Sequence, residues 1–288
     1  MNLAISSSYL VLIAIWSTTA LSIKWGVTGV PFTFALMLRF VMAAALGALI
    51  LRWKVGKLPR DPAHLRAYLI AGTATSLSML CSFWAAQYIA SGLIAVLYGL
   101  TPLVTGILAA RWLASPLLRS EWCAIVVGLI GLAMIFGNNL SFSPSGIPGM
   151  GAILLGMALQ AAAAVLLKRH TQQQSPLAVN SGALIVCAIL CSSFWLLSGA
   201  PWPAHIPYQA LAALIYLALI GSVVAFSLYY WLIQQCKPLN VALISLITPI
   251  SSLLLGHWLN QEILYRHELI GTGLILLGLI IHTRLRKH

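Results

Sequence analysis

Residues 84–102 read WAAQYIASGLIAVLYGLTP, and residues 231–249 read WLIQQCKPLNVALISLITP. Laid over each other at a constant offset of 147 residues, they pair Trp84 with Trp231, Gln87 with Gln234 and Thr101-Pro102 with Thr248-Pro249. The match continues without a gap to Leu132 and Leu279, through Arg119-x-Glu121 with Arg266-x-Glu268 and Gly131-Leu132 with Gly278-Leu279. Leu and Ala coincide by chance in an apolar chain; Trp, Gln, Thr-Pro, Arg and Glu are rarer and carry the argument. The chain is built twice, from a unit about half its length.

The composition fixes the solvent. With 61% hydrophobic and 7% charged residues, a soluble domain of this size lacks the polar residues to cover its surface. A mean hydropathy of +0.97 and recurrent apolar runs of about 20 residues predict a polytopic all-α membrane protein. The runs do not alternate as β-barrel strands do. Ten spans are expected, at 8–28, 31–51, 67–88, 91–112, 121–138, 149–168, 178–198, 208–234, 238–259 and 268–284.

The net charge of +12 is topological. With the N-terminus inside, Arg52, Lys54, Lys57, Arg60, Arg66, Arg111, Arg119, Lys168, Arg169, Lys237, Arg284, Arg286 and Lys287 all fall on the cytoplasmic side, and only Arg266 in an outer loop. That asymmetry predicts cytoplasmic N- and C-termini and no nucleic-acid partner. The first apolar segment has no basic leader and reads as a retained span. Five spans per half is an odd number, so equivalent helices run in opposite directions. The expected fold is ten transmembrane helices in two inverted five-helix repeats, residues 1–140 and 149–288, joined by a linker at 141–148 (within SFSPSGIPG). The earlier parts align more loosely, Trp16–Lys24 with Gln160–Lys168 and Pro31 with Pro176.

Several residues are candidates for function. Pro102 and Pro249 lie near mid-span, where a proline breaks the helix and frees the carbonyl four residues earlier, that of Tyr98 or Ser245. Each half thus offers an acceptor at mid-membrane depth, beside hydroxyls from Tyr98 and Thr101 or Ser245 and Thr248. Either these groups line a cavity, or the hydroxyls bond locally and the prolines only bend helices. Trp16 and its repeat partner Gln160 sit near mid-span and are taken as cavity residues. Trp84 with Gln87, and Trp231 with Gln234, share a helix face but lie toward span ends, where interfacial anchoring competes with solute binding. Arg39, roughly 12 Å into its helix at 1.5 Å per residue, needs a partner or water; Arg39 and Glu262 form a candidate charge pair or gate. Lys24, nearer the boundary, can snorkel.

Other chemistry finds little support. The four acids, Asp61, Glu121, Glu262 and Glu268, are all at span edges or in loops, so no buried carboxylate is placed for a proton relay. No nucleotide-binding loop or hydrolase signature occurs, so an enzyme is not expected. The five Cys lie in or beside spans as small apolar packers, and neither a metal nor another cofactor is expected. Small residues at Gly128, Gly131, Gly271, Gly273 and Gly278 permit close helix packing, within one chain or in a homodimer.

These residues together resemble the drug/metabolite transporter superfamily, specifically EamA-type carriers with ten spans in two repeats. The resemblance is strongest over Pro238–Leu279, with Ala242, Thr248-Pro249, Gln261-Glu262 and Gly271-Thr-Gly-Leu-Ile-Leu-Leu-Gly278, and continues at Trp16-Ser17, Lys24, Pro31 and Leu38-Arg39-Phe40. Ser115 departs from the family's usual Glu at the place equivalent to Glu262, and Ala124 from the glycine found at Gly271. The resemblance implies export of small metabolites, amino acids or xenobiotics across a bacterial-type inner membrane. The expectation is a secondary transporter working by alternating access on a small-molecule solute, with Trp16, Tyr98, Thr101, Gln160, Ser245 and Thr248 lining its site. Drug efflux, a nucleotide-sugar-type carrier and a channel-like facilitator are the alternatives.

Overall fold

The computed structural model describes residues 3–89, 91–114, 118–136, 146–171 and 173–260, with isolated positions beyond 265. The described residues form helices and turns, with no strand. Three long helices come first, α1 (Leu3–Gly26), α2 (Phe32–Lys54) and α3 (Pro62–Ala85), followed by a broken pair, α4 (Ser91–Tyr98) with α5 (Thr101–Trp112). Then follow α6 (Arg119–Phe136), α7 (Gly146–His170) and α8 (Pro176–Leu197). The next span runs continuously from Tyr208 to Gln235 as α9 (Tyr208–Tyr216), a π-helical segment (Leu217–Val224) and α10 (Ala225–Gln235). Last are α11 (Pro238–Ala242) and α12 (Ile244–Asn260). Seven of these helical stretches are individually long and apolar enough to cross a membrane. Most of the expected tenth span, Glu262, Glu268 and residues 137–145 of the inter-repeat region lie outside the described residues; α7 already begins at Gly146, so residues 146–148 are helical.

Prolines set the helix starts. Pro62, Pro176 and Pro238 occupy the first turn of α3, α8 and α11, and Pro31 and Pro207 precede α2 and α9. There a missing N–H costs no intrahelical bond. Asp61 and Ser175 cap the two long ones, accepting from the N–H groups of His64 at 3.2 Å and Ala178 at 3.4 Å.

Packing follows from small residues. α2 lies on α8, and α3 on both α7 and α8; α1 packs on α12 and on the Tyr208–Gln235 span, and α5 on α7 and α11. Phe34 and Phe40 of α2 and Phe83 of α3 are fully buried in one core cluster, with Phe34 edge-on to Trp195 of α8 and to Trp202. Gly72 and Gly182 bring α3 and α8 together, since a Cβ on either would overlap the other helix. Of the glycines singled out in the sequence, Gly273 has nothing within 4 Å of its would-be Cβ.

Two lysines tie the corners. Lys24 Nζ donates to Ala86 O (2.6 Å) and Ile89 O (3.2 Å), and Lys168 Nζ donates to Gln234 O (2.7 Å). Gln234 Nε2 in turn donates to Thr171 O (2.7 Å) and Gln174 O (2.9 Å). A cation at a helix C-terminus meets unpaired carbonyls and the negative end of the dipole. Lys24 is therefore anchored and does not simply reach for the interface. Lys24→Met keeps the stem and removes the donors; it is expected to lower stability by about 2 kcal/mol. Thermal unfolding in detergent checks this, and an unchanged midpoint would count against the tie.

Candidate functional site

The broken helices open the centre of the bundle. In the first half the break falls at Gly99-Leu100, so Pro102 sits in the first turn of α5 and not in mid-helix. In the second half it falls at Leu243, and α12 runs through Pro249. The carbonyls that the prolines release are satisfied locally. Thr101 Oγ1 donates to Tyr98 O, and Thr248 Oγ1 to Ser245 O at 3.4 Å. Ser245 Oγ donates to Ala242 O at 2.6 Å. Local bonding and a cavity-lining position, read as alternatives in the sequence, occur together.

Between the two breaks lies a cavity that encloses about 880 Å³ of empty space when the open solvent at its mouth is included. Trp16, Tyr98, Thr101, Gln160, Ser245 and Thr248 all stand in its wall. Trp16 and Gln160, equivalent in the repeat, come from α1 and α7. The Trp16 ring lies 5.3 Å from that of Tyr229, tilted by 55°, and Phe226 packs edge-on to Tyr229 at 6.1 Å. This aromatic wall was not anticipated, although Tyr229-Tyr230-Trp231 is legible as an aromatic run. The Tyr98 hydroxyl is fixed by Ser78 Oγ (2.7 Å) and Ser82 Oγ (2.9 Å). Gln160 differs: its Oε1 is buried and has no hydrogen-bond partner among the described residues. A buried, unpaired acceptor is costly, and this one belongs to a residue of the cavity wall.

Arg39 is also in the wall. Its Nε donates to Ser222 Oγ (3.1 Å) and its Nη1 meets Met79 Sδ (3.5 Å). Its proposed partner Glu262 lies outside the described residues. Ser222 belongs to the π-helical segment and donates to Leu217 O, five residues earlier, at 2.9 Å. Asn180 of α8 holds that segment, its Nδ2 lying 3.1 Å from Ser222 O, 3.0 Å from Val223 O and 2.9 Å from Ser227 Oγ. Asn180 was not singled out from sequence; a lone amide in an apolar run was the available signal. Trp84 and Gln87 lie away from the cavity. Trp84 packs edge-on with Tyr88, and the exposed Gln87 donates to Trp84 O at 3.2 Å. Among the described residues no cluster of three His, Cys, Asp or Glu is placed to hold a metal.

Membrane-length helices around a mostly apolar cavity with a few polar groups in its wall are the architecture of a polytopic membrane protein with an internal site. The EamA-like transporter family model matches residues 5–137 and again 147–284, and the chain belongs to that family. It is 28% identical over 273 residues to the uncharacterized inner membrane transporter YedA of Escherichia coli K12, covering 93% of this chain and 87% of YedA. It is 24% identical over 272 residues to the uncharacterized transporter YoaV of Bacillus subtilis, covering 93% of each. Protein PecM of Dickeya dadantii is 25% identical over 217 residues, 75% of this chain and 72% of PecM. A solved structure titled "Crystal structure of protein" superposes with a TM-score of 0.82 at 19% identity, over 99% of both chains; that likeness concerns the fold.

Proposed function

We propose that this membrane transporter is a secondary carrier that exports small metabolites, amino acids or related compounds among them, by alternating access. In this reading the chain forms ten spans in two inverted five-helix repeats, with both termini cytoplasmic, and the two repeats exchange roles as the cavity opens to one side and then the other. Each repeat contributes equivalent positions to one cavity: Trp16 and Gln160, Tyr98 and Ser245, Thr101 and Thr248. The basic residues on one set of loops support the orientation.

The single observation that carries the reading is Gln160, a residue of the cavity wall whose Oε1 is buried without a partner among the described residues and which a small side-chain rotation would turn toward a solute. Gln160→Leu removes an unsatisfied group, so the variant is expected to melt at the same or a higher temperature than the parent protein. Its transport should nevertheless fall by about tenfold or more, as when a site's destabilising polar group is removed. The measurement is counterflow in proteoliposomes preloaded with a panel of unlabelled solutes. Acceleration of labelled uptake by internal solute indicates a carrier and not a channel-like facilitator. Undiminished counterflow in Gln160→Leu would remove Gln160 from the site. Activity confined to xenobiotic solutes would favour drug efflux, for which the aromatic wall of Trp16, Phe226 and Tyr229 is also suited.

A further inference from the structure

Arg39 is 1% exposed, and everything described against it is neutral. Beyond Ser222 and Met79, its guanidinium carbon lies 5.2 Å and 5.7 Å from the ring centroids of Phe40 and Phe83. Other titratable groups close enough to act on it are the Cys187 and Cys191 thiols and the Tyr98 phenol, all uncharged near neutral pH. Asp61 with His64, far out at the start of α3, makes the only salt bridge among the described residues. The guanidinium has five N–H donors in a planar fork, and one of its two described acceptors is a thioether, which accepts weakly. Nη2 stands 3.7 Å from where a Cβ on Gly221 would lie, so at that cavity-wall position no side chain occupies the place beside it. Arg39 is the only charged residue described in the cavity wall.

An uncompensated charge at this depth is expensive unless something negative accompanies it. We propose that the cavity takes a solute bearing one carboxylate. The carboxylate sits on the Nη edge of Arg39, an N–H donor of the solute meets Gln160 Oε1, and its apolar or aromatic body lies on Trp16 and Tyr229. This rests on the transport reading above and narrows its substrate class. A planar carboxylate matches the guanidinium fork. A phosphate dianion calls for more than one cation, and a neutral or cationic solute leaves Arg39 unpaired.

The probes are indole-3-acetate and indole-3-acetamide, which share ring and N–H and differ in charge. Binding is read as the rise in melting temperature of the purified full chain in detergent, and as competition in counterflow. In the parent protein the acid is expected to act at a concentration lower than the amide by about tenfold or more, the scale of one charge-assisted pair. Arg39→Gln should abolish that separation. Arg39→Lys should keep it in reduced form, since the ammonium retains charge but not the fork. Gly221→Ala adds a methyl group in ordinary contact with Leu217 (3.5 Å) and Arg39 Nη2 (3.7 Å), so it preserves the fold and should weaken the acid more than the amide. This variant decides the matter even where Arg39→Gln does not fold. Equal potency of acid and amide in the parent protein, no response to either, or an acid preference surviving in Arg39→Gln would overturn the proposal. Counterflow of other solutes alongside equal potency would leave transport standing and remove only the charge assignment. Binding of the acid with no counterflow of any solute would instead count against transport.

Discussion

Gly182→Ala is expected to lose about 3 kcal/mol or more of stability, beyond the usual overpacking cost of roughly 1–3 kcal/mol because no flexible tip is available to yield. Its Cβ would stand 2.4 Å from two carbons of the Tyr68 ring. Tyr68 is itself 3% exposed, and its hydroxyl donates to Pro59 O at 3.0 Å, so the ring cannot swing away without breaking that bond. Gly72 is the counterpart on α3. A Cβ there would meet Val186 Cβ at 2.5 Å and the Ala183 carbonyl at 2.8 Å, so Gly72→Ala should cost a similar amount. Gly151→Ala is the control, with nothing within 4 Å; removing a helix-interior glycine there should be neutral or stabilising by about 0.5–1 kcal/mol. Thermal unfolding in detergent distinguishes these outcomes. Adding Tyr68→Ala to Gly182→Ala should recover part of the loss, because the two sites share one volume. Equal midpoints for Gly182→Ala and Gly151→Ala would mean that α3 and α8 do not approach as described.

Asn180→Leu should cost about 2–4 kcal/mol and carry transport down with it, the loss of several buried hydrogen bonds that leaves carbonyl acceptors unpaired. Asn180 is 1% exposed, and its amide serves three acceptors on or just after the π-helical segment. A π-helical stretch bonds i to i+5 and is rarely stable without outside support. Without Asn180 the segment has reason to relax toward α-helical register. That would rotate Gly221 out of the cavity wall and move Ser222 away from Arg39. Transport is thus expected to depend on a residue that does not itself line the cavity. Comparing unfolding midpoints and counterflow for Asn180→Leu and Asn180→Ala tests this. A variant as stable and as active as the parent protein would show that the π register needs no support from α8.

The sequence by itself determined the solvent and the helices, and it marked the two spans that break without fixing where. Lipid leaves the backbone no partner but itself, so 20-residue apolar runs become helices, and prolines mark their starts. The 147-residue repeat brought Thr101 and Thr248 into correspondence, and mid-span placement singled out Trp16 and Gln160. These positions lie around one cavity because their depth along a span is readable from residue number alone. Even so, Pro102 falls after its break and Pro249 within a continuing helix, since the hydroxyls of Thr101 and Thr248 replace the lost backbone donors. Tertiary structure decided what depends on which helices face each other. The neutral surroundings of Arg39, the hold of Asn180 on a segment some forty residues away in sequence, the lysine ties and the contact at Gly72 and Gly182 are all of this kind. Periodicity gives a residue's depth and face, but in a chain apolar on nearly every face it does not name the helix opposite, and that neighbour determines whether a buried polar group is satisfied or a small residue is required.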